Sequence, residues 1–233
     1  MRKPLLFIAS ICLLATTIPA QAVVVNGGYE TGILSGWSSI GAAHVDTAVI
    51  GVAPTQGTFH AYIDNTGNFA APIATVVPFL GVPGSSILGL GAGPPTTGSA
   101  IKQSVTVSAG DVLSFDWNFL TDEWNEAPTF NDFAIFSVDT VPNFLASRNS
   151  TFSTLNLLSP PAGFDGQTNY ATQTYTFPSA GTFTLSFAVF NVGDAGHNSV
   201  LLVDAVSISV VPEPASLGLL GAGAMLAKRR RKV

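Results

Sequence analysis

Ile101-Lys102-Gln103-Ser104-Val105-Thr106-Val107 is followed, across the turn Ala109-Gly110-Asp111, by Val112-Leu113-Ser114-Phe115-Asp116-Trp117-Asn118-Phe119-Leu120. In the first run Ile101, Gln103, Val105 and Val107 fall on one face, and Lys102, Ser104 and Thr106 on the other. In the second, Leu113, Phe115, Trp117 and Phe119 alternate with Ser114, Asp116 and Asn118. Successive side chains of a strand point to opposite faces, so a period of two predicts two half-buried strands joined by a tight turn. The same alternation places Trp117 in the core.

The pattern recurs outward in both directions. Thr58 to Ile63 sets Phe59, Ala61 and Ile63 against Thr58, His60 and Tyr62, and the turn Asp64-Asn65-Thr66-Gly67 closes it. Phe133 to Val138, Thr172 to Phe177, Gly181 to Asn191 and Val200 to Val210 read as further strands. Val23-Val24-Val25 reads as a first strand, ended by Asn26-Gly27-Gly28. Residues 78–99 are rich in Pro, Gly and Ser and read as a loop, and residues 140–168 are Pro- and Asn-rich. No run shows the 3.6-residue period of a helix, and there is no internal repeat. Gly, Ser, Thr, Val and Phe are abundant, which favours strands joined by turns. The expected class is all-β, an antiparallel β-sandwich.

The two ends read differently. Arg2-Lys3, the apolar run Leu5 to Leu14 and Ala20-Gln21-Ala22 have the layout of a secretory signal peptide over residues 1–22, cut before Val23. The single cysteine, Cys12, lies inside that run, so the mature chain is expected to have no disulfide, thiol nucleophile or cysteine metal site. At the other end stand Pro212-Glu213-Pro214, an apolar segment from Ala215 to Ala227, and the cations Lys228, Arg229, Arg230, Arg231 and Lys232. The two prolines hold the motif extended. The apolar segment is short against the roughly 20 residues that span a bilayer, and five cations flanking it stop on the cytoplasmic side.

Removing the ends changes the charge. The whole chain carries a formal −5. Residues 23–211 keep two cations, Lys102 and Arg148, against 13 of the 14 acids, which leaves −11. Such a surface repels phosphate backbones and argues against a nucleic-acid partner. About 190 residues suffice for one domain with a real core.

The C-terminal stretch resembles the PEP-CTERM sorting signal. The resemblance rests on Val211-Pro212-Glu213-Pro214-Ala215-Ser216, the segment containing Gly-Leu-Leu-Gly-Ala-Gly and the Arg-Arg-Arg-Lys end, in that order. It implies residues 211–233 as a sorting tail with a membrane-spanning helix, transient insertion in the inner membrane, cleavage near Pro212–Pro214 by an exosortase, and delivery to the cell surface or extracellular matrix. Signal peptidase and the secretion machinery are the other implied partners, and exopolysaccharide matrices are the associated setting.

A second resemblance concerns residues 23–210. Asn26-Gly27-Gly28-Tyr29-Glu30-Thr31-Gly32 with Ser35-Gly36-Trp37 resembles the opening of galactose-binding-like jelly rolls, which include carbohydrate-binding modules, and Leu201-Leu202-Val203-Asp204-Ala205-Val206 resembles their closing strand. It implies a jelly-roll-like sandwich and, by analogy, a structural calcium at Glu30 and Asp204. The alternative role for these residues is to cap a turn and to pair with a backbone amide.

Other candidate residues come from the pattern alone. Asp122, Glu123, Glu126 and Asp132 share one acidic stretch, with Asp194 in another loop. Carboxylates gathered with few cations hold a hard metal such as calcium or stand apart in water, and Asp122, Glu123 and Asp132 are the metal candidates here. Trp124, in the same loop, is the candidate for stacking on a sugar. The chain has no H-E-x-x-H, G-x-S-x-G or P-loop motif. The expected function is therefore non-enzymatic: an exported structural or adhesive component of an exopolysaccharide or biofilm matrix. A calcium-stabilised carbohydrate-binding module is the alternative, and a secreted hydrolase using the paired carboxylates comes third.

Overall fold

In the computed structural model, which describes residues 22–123, 129–149, 163–194 and 196–211, the alternating runs become strands. The elements are β1 (Ser38–Ile40), β2 (Ala42–Asp46), a 3-10 turn (Ala48–Ile50), β3 (His60–Asp64), β4 (Ala71–Pro72), α1 (Ile73–Leu80), α2 (Gly84–Leu88), β5 (Pro95–Val107) and β6 (Val112–Thr121). Then come β7 (Phe133–Val138), β8 (Val141–Ser147), β9 (Gly166–Gln167), β10 (Ala171–Thr176), β11 (Gly181–Val192) and β12 (Ser199–Ser209).

Two antiparallel sheets face each other. One has the order β1-β5-β11-β7-β8 with β4 beside β5, and the other β10-β6-β12-β3-β2 with β9 beside β6. Along β5, β6 and β7, and again along β10, β11 and β12, consecutive strands switch sheets, so the chain closes its core by repeated crossing between layers. The expected jelly-roll-like sandwich is the fold observed.

The inner faces are those the alternation assigns. Ile101, Val105, Val107, Leu113, Phe115, Trp117 and Phe119 pack with Ala134, Phe136, Phe187 and Leu201 between the sheets. Phe115 meets Phe187 edge-on with ring centroids 4.8 Å apart, a preferred aromatic geometry. Trp37 joins this core, with its ring 5.7 Å from Tyr29 and 5.9 Å from Phe187.

Three readings are corrected. Residues 23–25 form no strand; the Val25 N–H is taken by the Gln103 side-chain oxygen at 2.7 Å instead of a ladder partner. Residues 78–99 are not all loop: α1 runs into them, α2 lies inside them, and β5 begins at Pro95. Val76 and Leu80, one helical turn apart, bury on Ala100, Ile135, Ala188 and Phe190 on the outer face of the first sheet. Burial overrides the poor helix propensity of a Val- and Pro-containing segment. The Lys102 ammonium closes the helix end by donating to the Phe79 carbonyl, and it lies 4.3 Å from the Phe79 ring centroid. Residues 140–168 also contain β8 and β9. Pro142 and Asn143 are tolerated because β8 is the edge of its sheet.

Candidate functional site

The inner faces of the two sheets change character at one pole. On the first sheet the apolar rows end in Thr97 of β5, Asn191 of β11 and Asp132 just before β7. On the second they end in Thr121 of β6, Ser199 of β12 and Asn65 just after β3. Asn191 is the register partner of Thr97, and Ser199 that of Thr121. The Phe190–Phe133 pair sets Asn191 and Asp132 one step further along the same ladder. Two rows of polar side chains thus face each other between the sheets.

Asn65 fastens the rows together. Its N–H donates to the Ser199 carbonyl at 3.1 Å, its Oδ1 accepts the Ser199 N–H at 2.7 Å, and its Nδ2 donates to Asp132 Oδ2. The other Asp132 oxygen accepts the Val192 N–H at 2.9 Å. Asp132 in turn donates its own N–H to Glu123 Oε2 at 3.0 Å. The Ser199 hydroxyl donates to that of Thr121 at 2.9 Å. Glu123, Asp132, Asn65, Asn191 and Ser199 all have no solvent exposure. Arg148 supports the pole from its backbone side, donating its N–H to the Asp132 carbonyl at 2.9 Å and Nε–H to the Glu123 carbonyl at 3.0 Å.

This environment disfavours negative charge. Loss of hydration pushes the Glu123 carboxyl well above the usual carboxylate range, and the neighbouring Asp132 and Asp194 charges push it the same way. Burial also raises Asp132, and hydrogen bonds from Val192, Asn65 and Ser199 pull back against it. Among the described residues, Glu123 Oε1 and both amide atoms of Asn191 are buried without a hydrogen-bond partner, as is the Thr97 hydroxyl.

The other expected site residues fall elsewhere. Asp122 stands at the rim of the same pole, bonded to the Asn198 N–H and 3.6 Å from His197 Nδ1; burial raises its pKa. Glu30 and Asp204 meet one loop, residues 55–59. Asp204 Oδ2 accepts from the Thr55 hydroxyl at 3.1 Å and the Gln56 N–H at 2.8 Å, and Oδ1 from the Ala205 N–H at 2.6 Å. Glu30 accepts the N–H groups of Thr58 and Phe59 through Oε1 and that of Thr58 through Oε2. All four carboxylate oxygens are thus engaged, three of them in fastening the loop and Asp204 Oδ1 on the Ala205 N–H. Among the described residues no three His, Cys, Asp or Glu side chains gather as a metal cluster. Trp124, Pro212, Glu213, Pro214 and Lys228 to Lys232 lie outside the described residues.

The opening motif has a structural job. The Asn26 side chain bonds the Ile33 and Ser35 carbonyls, the Asn26 carbonyl takes the Trp37 indole N–H at 3.3 Å, and the Gly27 carbonyl takes the Val206 N–H at 2.9 Å. A bulge between Asp204 and Ser207, with Ala205 at φ +52, turns that N–H toward Gly27.

A buried histidine lies on the outer face of the second sheet. His60 Nδ1 meets the Tyr170 hydroxyl at 2.8 Å, while its Nε2 has no partner. Desolvation lowers the imidazole to about 4, so it is neutral at pH 7. Tyr170, Phe164, Ile50 and Val52 cover this side of Leu120, Val200 and Leu202.

The tail begins where the fold ends. The Val211 N–H donates to Asp111 Oδ1 at 3.0 Å, and the Ser108 N–H to Asp111 Oδ2 at 2.8 Å. Val211 is therefore held to the β5–β6 turn, and Pro212 is the next residue. Residues 210–232 match the PEP-CTERM protein-sorting motif. The chain carries this sorting signal. The signal implies export, a transient membrane anchor and an exosortase partner. No described helix is long and apolar enough to cross a membrane, and the expected spanning segment lies outside the described residues.

No curated protein sequence matches the chain. Among solved structures, TmCBM61 in complex with β-1,4-galactotriose is 14% identical with a TM-score of 0.44, over 82% of this chain and 100% of that one. The K1 cleaved adhesin domain of Lys-gingipain from Porphyromonas gingivalis W83 is 18% identical with a TM-score of 0.45, over 79% and 96%. A family 16 carbohydrate-binding module is 13% identical with a TM-score of 0.37, over 79% and 97%. These are weak likenesses.

The polar pole extends the sequence reading. Of the acidic stretch, Glu123 and Asp132 are buried side by side, not solvated in a loop. Asn65, Asn191, Ser199 and Thr121 are the site residues not anticipated. The alternation itself points to them: each stands two residues from an inward apolar position, Asn65 after Ile63, Asn191 after Val189, Ser199 before Leu201 and Thr121 after Phe119. A polar residue at an inward position requires a buried partner.

Proposed function

We propose that the chain is an exported cell-surface or extracellular-matrix protein, sorted and cleaved by an exosortase, whose sandwich has a structural or adhesive role in an exopolysaccharide matrix. The carrying observation is that the sorting signal, matched over residues 210–232, overlaps the end of the fold: Val211 is hydrogen-bonded to Asp111, and Pro212-Glu213-Pro214 follows it directly. The folded domain is therefore the cargo, delivered with no spacer between it and the cleavage motif. Its −11 charge in residues 23–211 suits an extracellular protein that stays dispersed.

The buried carboxylate pair supports a non-catalytic reading. Glycosidases place two carboxyl groups about 5–9.5 Å apart on either side of a sugar. Glu123 and Asp132 have no exposed surface, and Glu123 bonds the Asp132 backbone directly. That arrangement leaves no room for a glycosidic bond between them.

The test is a mass spectrum of the protein recovered from cell-surface and matrix fractions of its host. The expected species begins at Val23 and ends near Pro212–Pro214. An intact tail confined to the membrane fraction would overturn sorting and leave a permanent anchor. Retention on a panel of neutral and acidic glycans separates adhesion to polysaccharide from a purely structural role.

A further inference from the structure

We propose that the polar pole is a binding site for one hard divalent cation of the calcium class, with Glu123 and Asp132 as carboxylate ligands and Asn191 as an amide-oxygen ligand. The site is distinct from the Glu30–Asp204 pair. It also gives the proposed matrix protein a cation-dependent fold, a property that stands or falls separately from its sorting.

The first observation is the carboxylate pair. Glu123 and Asp132 are both without solvent exposure, their carboxyl groups stand within hydrogen-bonding reach of each other, and Glu123 Oε1 meets no donor among the described residues. An unpartnered buried carboxylate oxygen is costly, far more so than a neutral group. The second observation is independent of the acids. Asn191 is fully buried on the inner face of β11, one ladder step beyond Phe190–Phe133 and so alongside Asp132, with neither its Oδ1 nor its Nδ2 paired. The neighbouring Val192 N–H already fixes Asp132 Oδ1, which holds the two strands together at this level.

One proton shared by the two carboxyl groups would satisfy Glu123 and Asp132. It would do nothing for Asn191. A cation satisfies both: it takes Glu123 Oε1, a lone pair of Asp132 and Asn191 Oδ1, and leaves the Asn191 amide N–H groups toward the hydroxyl of Thr97, its register partner. Three oxygen donors of this kind suit calcium, which completes 6–8 ligands with carbonyls and water. The Glu30–Asp204 pair differs at one point: all four of its carboxylate oxygens accept an N–H or O–H, whereas in the Glu123–Asp132 pair three do and Glu123 Oε1 does not.

The experiment uses the full chain purified in detergent and stripped with a chelator. Calcium and magnesium are titrated with equilibrium dialysis for stoichiometry and calorimetry for the melting temperature. One calcium per chain and a raised melting temperature are expected. Glu123→Gln keeps the packing volume and is expected to weaken calcium binding at least tenfold, as is Asn191→Ala, while Glu30→Gln leaves it unchanged. A calcium response that survives Glu123→Gln but disappears in Asp204→Asn overturns the assignment. So does a wild-type chain that binds no calcium at millimolar concentration while Glu123→Gln melts higher than it, which establishes the shared proton.

Discussion

Glu123 Oε2 accepts the backbone N–H of Asp132 at 3.0 Å, although both carboxyl groups are sealed between the sheets. The bond ties the start of the acidic stretch to the residue that opens β7, and it brings two acids into one low-dielectric site. Folding therefore favours a bound proton at this point, or the cation proposed for it.

Without divalent cations, stability is expected to fall as pH rises from the ordinary glutamate range toward about 8, where the Glu123 carboxyl is held by burial and by Asp132. The folded state there binds a proton that the unfolded chain has released, so each unit of pH weakens folding. The loss is on the order of a few kcal/mol across the window. Glu123→Gln should flatten the profile. Melting temperature against pH in chelator, for both proteins, checks this.

Asn65 joins the two sheets at this pole through Asp132 and holds Ser199 within its own sheet. Asn65→Ala removes the acceptor for the Ser199 N–H and the donor to Asp132 Oδ2 together. Leaving buried partners unsatisfied costs about 1–3 kcal/mol each, so a loss of about 2–6 kcal/mol is expected by denaturant unfolding. Asn65→Asp should be worse than Asn65→Ala, because it sets a third carboxylate against Asp132.

Sequence periodicity revealed the sandwich because its inner faces are nearly unbroken apolar rows. Ile101, Val105 and Val107 or Leu113, Phe115 and Trp117 have no other way to bury together. It did not reveal α1, whose eight residues are too few and too β-branched to show a helical period; only contact with Ala188 and Phe190 makes it a helix. The polar pole was half legible. Glu123 and Asp132 stood out as acids, but their burial depends on Asn65, Ser199 and Asn191, which come from strands far apart in sequence. No local pattern brings residues 65, 132 and 199 into one place; the sheet register does. The sorting signal was legible because its chemistry is linear.

Gly57 is favoured for a local reason. Its φ of +63 disfavours any side chain, and an added Cβ would lie 2.3 Å from the Glu30 carboxyl carbon. Gly57→Ala should force Glu30 away from the Thr58 and Phe59 N–H groups and cost about 1–3 kcal/mol. Faster amide exchange at Thr58 and Phe59 is the expected signature, with the polar pole unaffected. A protected loop in Gly57→Ala would show that Glu30 does not hold it.

Asp111 holds the last described residue before the Pro-Glu-Pro motif. Its two oxygens take the N–H groups of Ser108 and Val211, one from the β5–β6 turn and one from the last described residue. Asp111→Ala should free Val211 while leaving β12 paired with β6 as far as Ser209. Loss of two hydrogen bonds to a buried carboxylate costs about 2–4 kcal/mol, and the Val211 amide should exchange much faster. The consequence for sorting follows from geometry. A motif beginning at Pro212 has no spacer, so its approach to a membrane peptidase is set by the direction in which Val211 is held. Asp111→Ala should therefore change the rate of tail cleavage in the host more than a destabilising change of equal size at the far pole, such as Ser199→Ala. Equal cleavage rates for the two variants, by pulse labelling of the precursor, would show that the domain does not present its own tail.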